Sequence, residues 1–289
     1  MVMNALELVG LAPVMARTEG SSTVSIGLLD GPVAVDQPGL NSDRIHLLPA
    51  ATTGRMPVCA ESCAHATMVA GILIARRGSS APAICPGCHL LVRPVLADNG
   101  MAGTRSASPA ELAAGILDCL AAGAHVLNLS LTLSSWSASD GRVLEGALDE
   151  AARRRVLVVA AAGNQAVVGS SVITRHPWVI PVVACDQAGR PTPYSNVGPS
   201  IGRRGLSAPG VAIASLATGV GPRTLSGTSA DAPFVTGAVA LLRSAFPAAG
   251  VAEIKRAALG ASAVRRSVVP PVLDAWAAYQ YLLTMSESG

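Results

Sequence analysis

The sequence predicts an α/β protein: a doubly wound, mostly parallel sheet flanked by helices. Short, nearly continuous apolar runs at residues 24–29 (VSIGLL), 90–96, 125–129, 156–162 and 179–184 read as strands buried on both faces. Longer stretches with helical spacing separate most of them, and strands alternating with helices are the pattern of βαβ units. Composition agrees. Hydrophobic residues make up 50% of the chain and aromatics only 3%, which suits a tightly packed aliphatic core and excludes disorder and coiled coil.

Taken in order, residues 5–16 (ALELVGLAPVMA) have the apolarity of a signal-peptide core. Glu7 interrupts them and no Lys or Arg precedes them, so no secretion signal is expected. No apolar run reaches membrane-spanning length. Strand 24–29 runs into Asp30 and the turn Gly31-Pro32. Residues 36–64, polar and dotted with Pro and Gly, are expected to be loop. From His65 the pattern turns helical, with Met68, Val69, Ile72 and Leu73 on one face and Arg76-Arg77-Gly78 closing the helix.

Strand 90–96, a helix over about 109–122 and strand 125–129 follow. A helix over about 141–154 then leads to strand 156–162, which ends in Gly163-Asn164. After strand 179–184 a Pro- and Gly-rich passage carries Tyr194-Ser195-Asn196 and Ala208-Pro209-Gly210. The turn Ser226-Gly227-Thr228-Ser229 opens onto a helix whose apolar face is Phe234, Val235, Ala238, Leu241 and Leu242. Two further helices are expected near 251–259 and 272–283. There is no repeat, linker or low-complexity segment, so residues 1–289 are expected to form one domain, with 1–22 as its lead-in.

The net charge of +3 is mild and almost all of it is Arg, Lys255 being the sole lysine. Arg153-Arg154-Arg155 and Arg203-Arg204 read as solvated helix ends and loops, and nothing points to nucleic acid. Six cysteines are present. Cys119 and Cys185 lie in apolar segments and are expected to be buried thiols. Cys59, Cys63, Cys85 and Cys88 form C-x3-C and C-x2-C pairs. Disulfides, free thiols and a zinc site all fit that spacing, zinc least well because it is not a standard finger.

In a sheet of this kind ligands bind beyond the carboxyl ends of the strands. Asp30 and Asn164 stand at two such ends, while His65 and Ser229 stand at helix N-termini facing the same rim. Each has an ordinary explanation as a cap or turn residue. Together they are groups suited to acyl transfer.

Leu28-Leu29-Asp30-Gly31, His65-Ala66-Thr67-Met68-Val69-Ala70-Gly71, Ala162-Gly163-Asn164 and Ser226-Gly227-Thr228-Ser229-Ala230 resemble the signature blocks of subtilisin-like serine proteases. They occur in that family's order, Asp then His then Ser. Leu127-Asn128-Leu129-Ser130-Leu131 and the two blocks of the Pro- and Gly-rich passage support the resemblance, which runs from about residue 8 to 281. It implies a subtilisin-like fold with Ser229 as nucleophile, His65 as general base and Asp30 as its orienting carboxylate. The Asn164 side chain and the Ser229 backbone N–H would form the oxyanion hole. Ser130, Leu131, Thr132, Ala161, Ala162 and Gly163 would border the substrate. No cofactor or metal is implied, since loop 78–88 (GSSAPAICPGC) has no carboxylate for calcium.

Some residues depart from the family pattern. Gly31-Pro32 replaces the usual Thr-Gly, Ala66 replaces Gly, and Thr132 stands where Gly is usual. Asp231 occupies a place normally held by a small neutral residue, where a carboxylate would oppose negative charge at the nucleophile. DGPV, Cys63-Ala64-His65-Ala66-Thr67 and the run from Ala81 to Cys88 are similar to the proteases that mature cyanobactins and related ribosomal peptides. That resemblance implies leader trimming of a precursor peptide or protein. Macrocyclising members carry a helical insertion between Asp and His, and residues 31–64 show no helical pattern. Residues 8–23 resemble the start of a mature domain, leaving no room for a propeptide, and a cytoplasmic enzyme with no membrane partner is expected. The alternatives are a general intracellular serine protease and a catalytically weak peptide-binding pseudoprotease.

Overall fold

The computed structural model describes residues 4–49, 61–96, 106–133, 138–219, 221–260 and 266–287. Two short helices, α1 (Ala5–Leu8) and α2 (Leu11–Met15), occupy the signal-like stretch. Asn4 and Glu7 cap α1 reciprocally, and α2 buries Leu11, Val14 and Met15. Next come β1 (Ser25–Asp30), a 3₁₀ turn (Ser42–Arg44), β2 (Ile45–Leu47), α3 (Glu61–Ile74), β3 (His89–Pro94) and β4 (Ser106–Ala107). They are followed by α4 (Pro109–Ala121), β5 (Val126–Leu129), β6 (Thr132–Leu133) and α5 (Ala138–Arg153). Then come β7 (Leu157–Ala161), α6 (Val172–Arg175), β8 (Val179–Cys185), α7 (Pro199–Arg204) and β9 (Leu206–Pro209). The chain closes with β10 (Ile213–Ser215), β11 (Arg223–Leu225), α8 (Thr228–Ala245), α9 (Val251–Leu259) and α10 (Ala275–Glu287).

Seven strands form one parallel sheet in the order β2-β3-β1-β5-β7-β8-β9. From β1 the chain crosses to the edge strand β2, comes back to β3 beside β1, and then adds β5 on the other side. The strand order therefore reverses at β1, the kind of switch point where open α/β sheets place their ligands. Asp30 is the last residue of that strand.

Side chains alternate between the two faces of the sheet, as the pleat requires. Ile26, Leu28, Val92, Val126, Val159, Ile180 and Val182 pack into one core with α3 and α8. Leu29, Leu91, Leu127, Leu129, Val158 and Ala160 pack into the other with residues of α4 and α5. Helix α8 is buried nearly all round, from Thr228 to Leu242, so it is a central pillar and not a surface helix. Each large aliphatic side chain removed from water in these cores contributes roughly 1.5–3 kcal/mol.

Three expectations need correcting. Helix α3 is already formed at Glu61, four residues before His65, so His65 lies within the helix and does not open it. The expected loop 36–64 contains β2, a three-residue edge strand too short and too exposed to show periodicity. The Pro- and Gly-rich passage contains β9, whose backbone completes the opposite edge of the sheet. Among the described residues no helix is long and apolar enough to cross a membrane.

Candidate active site

Asp30 lies on the face of β1 shared with Ile26 and Leu28, which is the face covered by α3 and α8. Its Oδ1 accepts from the Gly31 N–H at 2.7 Å and from His65 Nδ1 at 2.9 Å. Asp30 is fully buried and His65 is 6% exposed, so the pair is held out of water. A carboxylate at Nδ1 fixes the proton there and leaves Nε2 as the imidazole's acceptor. Gly31 is required by the close approach of α3: a Cβ there would lie 2.4 Å from the Ser62 carbonyl oxygen. The departure from Thr at position 31 therefore has a steric cause.

The second pair is assembled by a loop and a helix start. Gly227 has φ +114°, a left-handed conformation suited to glycine, and α8 begins at the next residue. The Thr228 N–H donates to Asn164 Oδ1 at 2.9 Å, and the Gly163 N–H donates to Thr228 Oγ1 at 3.1 Å. With Oδ1 engaged, the Asn164 amide keeps Nδ2 as a donor against the Gly227 turn. A Cβ on Gly227 would stand 3.0 Å from that nitrogen. Ser229 is half-buried in the first turn of α8, where backbone N–H groups lack helical partners and the helix dipole is positive.

Sequence reasoning missed Thr228. Its signal was a hydroxyl residue between a glycine and the candidate nucleophile. Asn196 holds the loop from behind: its N–H donates to Gly163 O at 2.9 Å and its Nδ2 donates to Ala162 O at 3.1 Å. The structure thus joins Asp30 to His65 directly and sets Asn164 against the turn leading into Ser229. Among the described residues no hydrogen bond joins Ser229 to His65. Such contacts often tighten only when substrate binds.

Of the residues expected to border substrate, Ser130, Leu131, Ala162 and Gly163 are buried and Ala161 is half-buried. Thr132 pairs in parallel with Ser106, and its side chain lies outside the described residues.

Asp231 does not line the cleft. It is fully buried, on the same helical face as Phe234, Val235 and Ala238. Neither carboxylate oxygen makes a hydrogen bond of good geometry. Burial pushes its carboxyl well above the usual range, and the nearby Ala232 N–H offsets only part of that. Burial thus favours the uncharged carboxyl, which weakens the expectation of a charge opposing the nucleophile. Its neighbour is Cys185, whose thiol is pushed up to about 12, first by burial and then by Asp231 and Asp186.

Cys119 and Cys185 are buried free thiols, as expected. Cys63 is disulfide-bonded, and Cys59 lies outside the described residues. Cys85 and Cys88 are free and buried, and the Cys88 thiol lies 3.8 Å from the Ser244 hydroxyl. Among the described residues no group of three His, Cys, Asp or Glu side chains could hold a metal ion.

The chain is 36% identical over 184 residues to the thermostable alkaline protease of Halalkalibacterium halodurans, covering 63% of this chain and 48% of that protein. The match therefore spans about half the length of that curated relative. Among solved structures, the prenylagaramide maturation protease PagA superposes with a TM-score of 0.81 at 26% identity, over 94% of this chain and 98% of that one. The patellamide maturation protease PatA gives 0.76 at 29% identity, over 92% and 98%. The macrocyclase domain of PatG gives 0.84 over 98% and 99%, at 20% identity, and so shares the fold. The Peptidase_S8 subtilase model matches residues 21–269. With the Asp30–His65 contact and the Asn164–Thr228 contact inside that span, the chain belongs to the subtilase family of serine peptidases.

Proposed function

We propose that the protein is a serine endopeptidase that trims a ribosomally made precursor peptide, with Ser229 as its nucleophile. The observation that carries the chemistry is the buried 2.9 Å contact between His65 Nδ1 and Asp30 Oδ1. It leaves Nε2 to take the Ser229 hydroxyl proton as Oγ attacks the peptide carbonyl, and Asp30 stabilises the imidazolium that results. The tetrahedral oxyanion receives hydrogen bonds from Asn164 Nδ2 and the Ser229 backbone N–H. Collapse expels the amine, which takes the proton from His65, and water then hydrolyses the acyl-enzyme. An extended substrate lies along Ser130–Thr132 and Ala161–Gly163 as an added strand, so backbone bonding supplies affinity and side-chain pockets supply selectivity.

Leader trimming is supported by the match to two maturation proteases over nearly the whole chain. The macrocyclase shares the fold at an identity too low to transfer activity. Between Asp30 and Glu61 the helical element among the described residues is one 3₁₀ turn, Ser42–Arg44. With burial favouring the protonated form of Asp231, the objection that its charge blunts catalysis is weakened. A disulfide at Cys63 is the exception for a reducing compartment, so it counts against the cytoplasm.

A fluorophosphonate probe is expected to label Ser229, and Ser229→Ala is expected to abolish the label. Folded wild-type protein that takes no label would refute the nucleophile assignment. Incubation with casein and with precursor peptides encoded beside the gene tests the substrate: selective cleavage of a precursor is expected, and broad casein digestion would refute dedicated trimming.

A further inference from the structure

We propose that Asn128 and Thr236 are positioning residues that hold the substrate strand in register with the nucleophile. The inference rests on the assignments of Ser229 and Ser130–Thr132 made above. On β5 the side chains of Val126 and Asn128 face α8, while Leu127 and Leu129 face the opposite core. The Thr236 hydroxyl donates to Asn128 Oδ1 at 2.8 Å, and Asn128 Nδ2 donates to Ser130 Oγ at 2.8 Å. Thr236 and Asn128 are fully buried and Ser130 is 2% exposed.

This is a costly thing to place in an aliphatic core. Buried polar groups contribute little net stability even when paired and cost several-fold more when left unpaired. Apolar side chains of similar volume would fill the space without that demand. What hydrogen bonds add is direction, because they hold both distance and angle where an apolar contact lets surfaces slide.

The location gives that direction a use. Thr236 lies seven residues after Ser229, two helical turns along the same face of α8. Ser130 is the first residue of the segment assigned to the substrate backbone. The chain Thr236–Asn128–Ser130 therefore runs from the nucleophile helix through the central strand to the substrate strand. It fixes the rotation of α8 relative to the peptide bond that Ser229 attacks. Misplacement of about 1 Å between reacting groups can cost about 10² in rate, so a fixed register has catalytic value.

The test compares Thr236→Val, which deletes the hydroxyl at nearly constant shape, with Thr236→Ser, which keeps it. Active enzyme is counted by fluorophosphonate labelling, and kcat/KM is measured on a small ester and on an extended peptide. Thr236→Val is expected to lose about tenfold on the extended peptide and under about threefold on the ester, because only the peptide is held by the strand. Thr236→Ser is expected to restore peptide cleavage. Asn128→Leu breaks the same chain at its middle, at a residue that does not border substrate, and is expected to show the same substrate-dependent loss, even if Thr236→Val fails to fold. Equal losses on both substrates, no loss on either, or a Thr236→Ser enzyme as poor as Thr236→Val would overturn the positioning role. Wild-type protein that neither labels nor cleaves the ester would overturn the nucleophile assignment instead.

Discussion

Asp30 and His65 meet inside the protein, one at the end of a central strand and the other on a helix packed over it. Asn164 and Ser229 stand at the surface, where an exposed loop meets a half-buried helix start. The first pair is held by a direct side-chain bond in dry surroundings. The second is held indirectly, through Thr228, Gly163 and Asn196. Proton transfer needs a fixed tautomer shielded from water, so rigidity suits the inner pair. Carbonyl attack needs access for a peptide and donors already in place, so the outer pair is open but braced from behind.

Substitutions can break the two halves separately. Asp30→Asn is expected to have the largest effect, lowering kcat by about 10⁴ because the imidazole loses its oriented tautomer. Turnover per labelled active site measures this, and a loss smaller than that of Asn164→Ala would invert the comparison. Asn164→Ala is expected to lower kcat by about 10²–10³ with little change in KM, since it removes one oxyanion donor. An unchanged kcat would take Asn164 out of that role.

The smallest effect is expected from Asp231→Ala, which touches neither half. The buried Asp231 carboxyl is raised above its unfolded value, so the folded state holds a proton that the unfolded chain gives up above about pH 4. Wild-type stability should therefore fall as pH rises from there towards the folded-state pKa. Urea denaturation should show Asp231→Ala gaining more on wild type at about pH 8 than at about pH 5. A gain that does not depend on pH would mean that the carboxyl is not the source.

Much of this was legible in the sequence because the signals are local. Asp30 and Asn164 each follow a short apolar run, and Ser229 stands between a glycine turn and an amphipathic stretch. The inward direction of Asp231 was left open, although the signal was present: it lies three, four and seven residues before Phe234, Val235 and Ala238 and so shares their helical face. The helical state of residues 61–64 was not readable, because Glu61 and Ser62 are polar residues in a passage with no periodicity. The edge strands β2 and β9 were hidden by their shortness, being stabilised by neighbouring backbone and not by side-chain pattern. The bond between Asn128 and Thr236 joins residues far apart in the chain, and no local window contains both.

The steric closeness at Gly31 also sets a rule for redesign. Asp30 Oδ2 is buried without a partner, and the obvious remedy is to graft the family's usual threonine onto position 31 to supply a hydroxyl. The Ser62 carbonyl stands 2.4 Å from where its Cβ would go, so the turn of α3 that carries Ser62 would have to retreat. His65 rides on that helix one turn later, and the graft would carry the base away from the carboxylate it was meant to serve. Strand end and helix form one joint, and positions 31 and 62 can be exchanged only as a matched set.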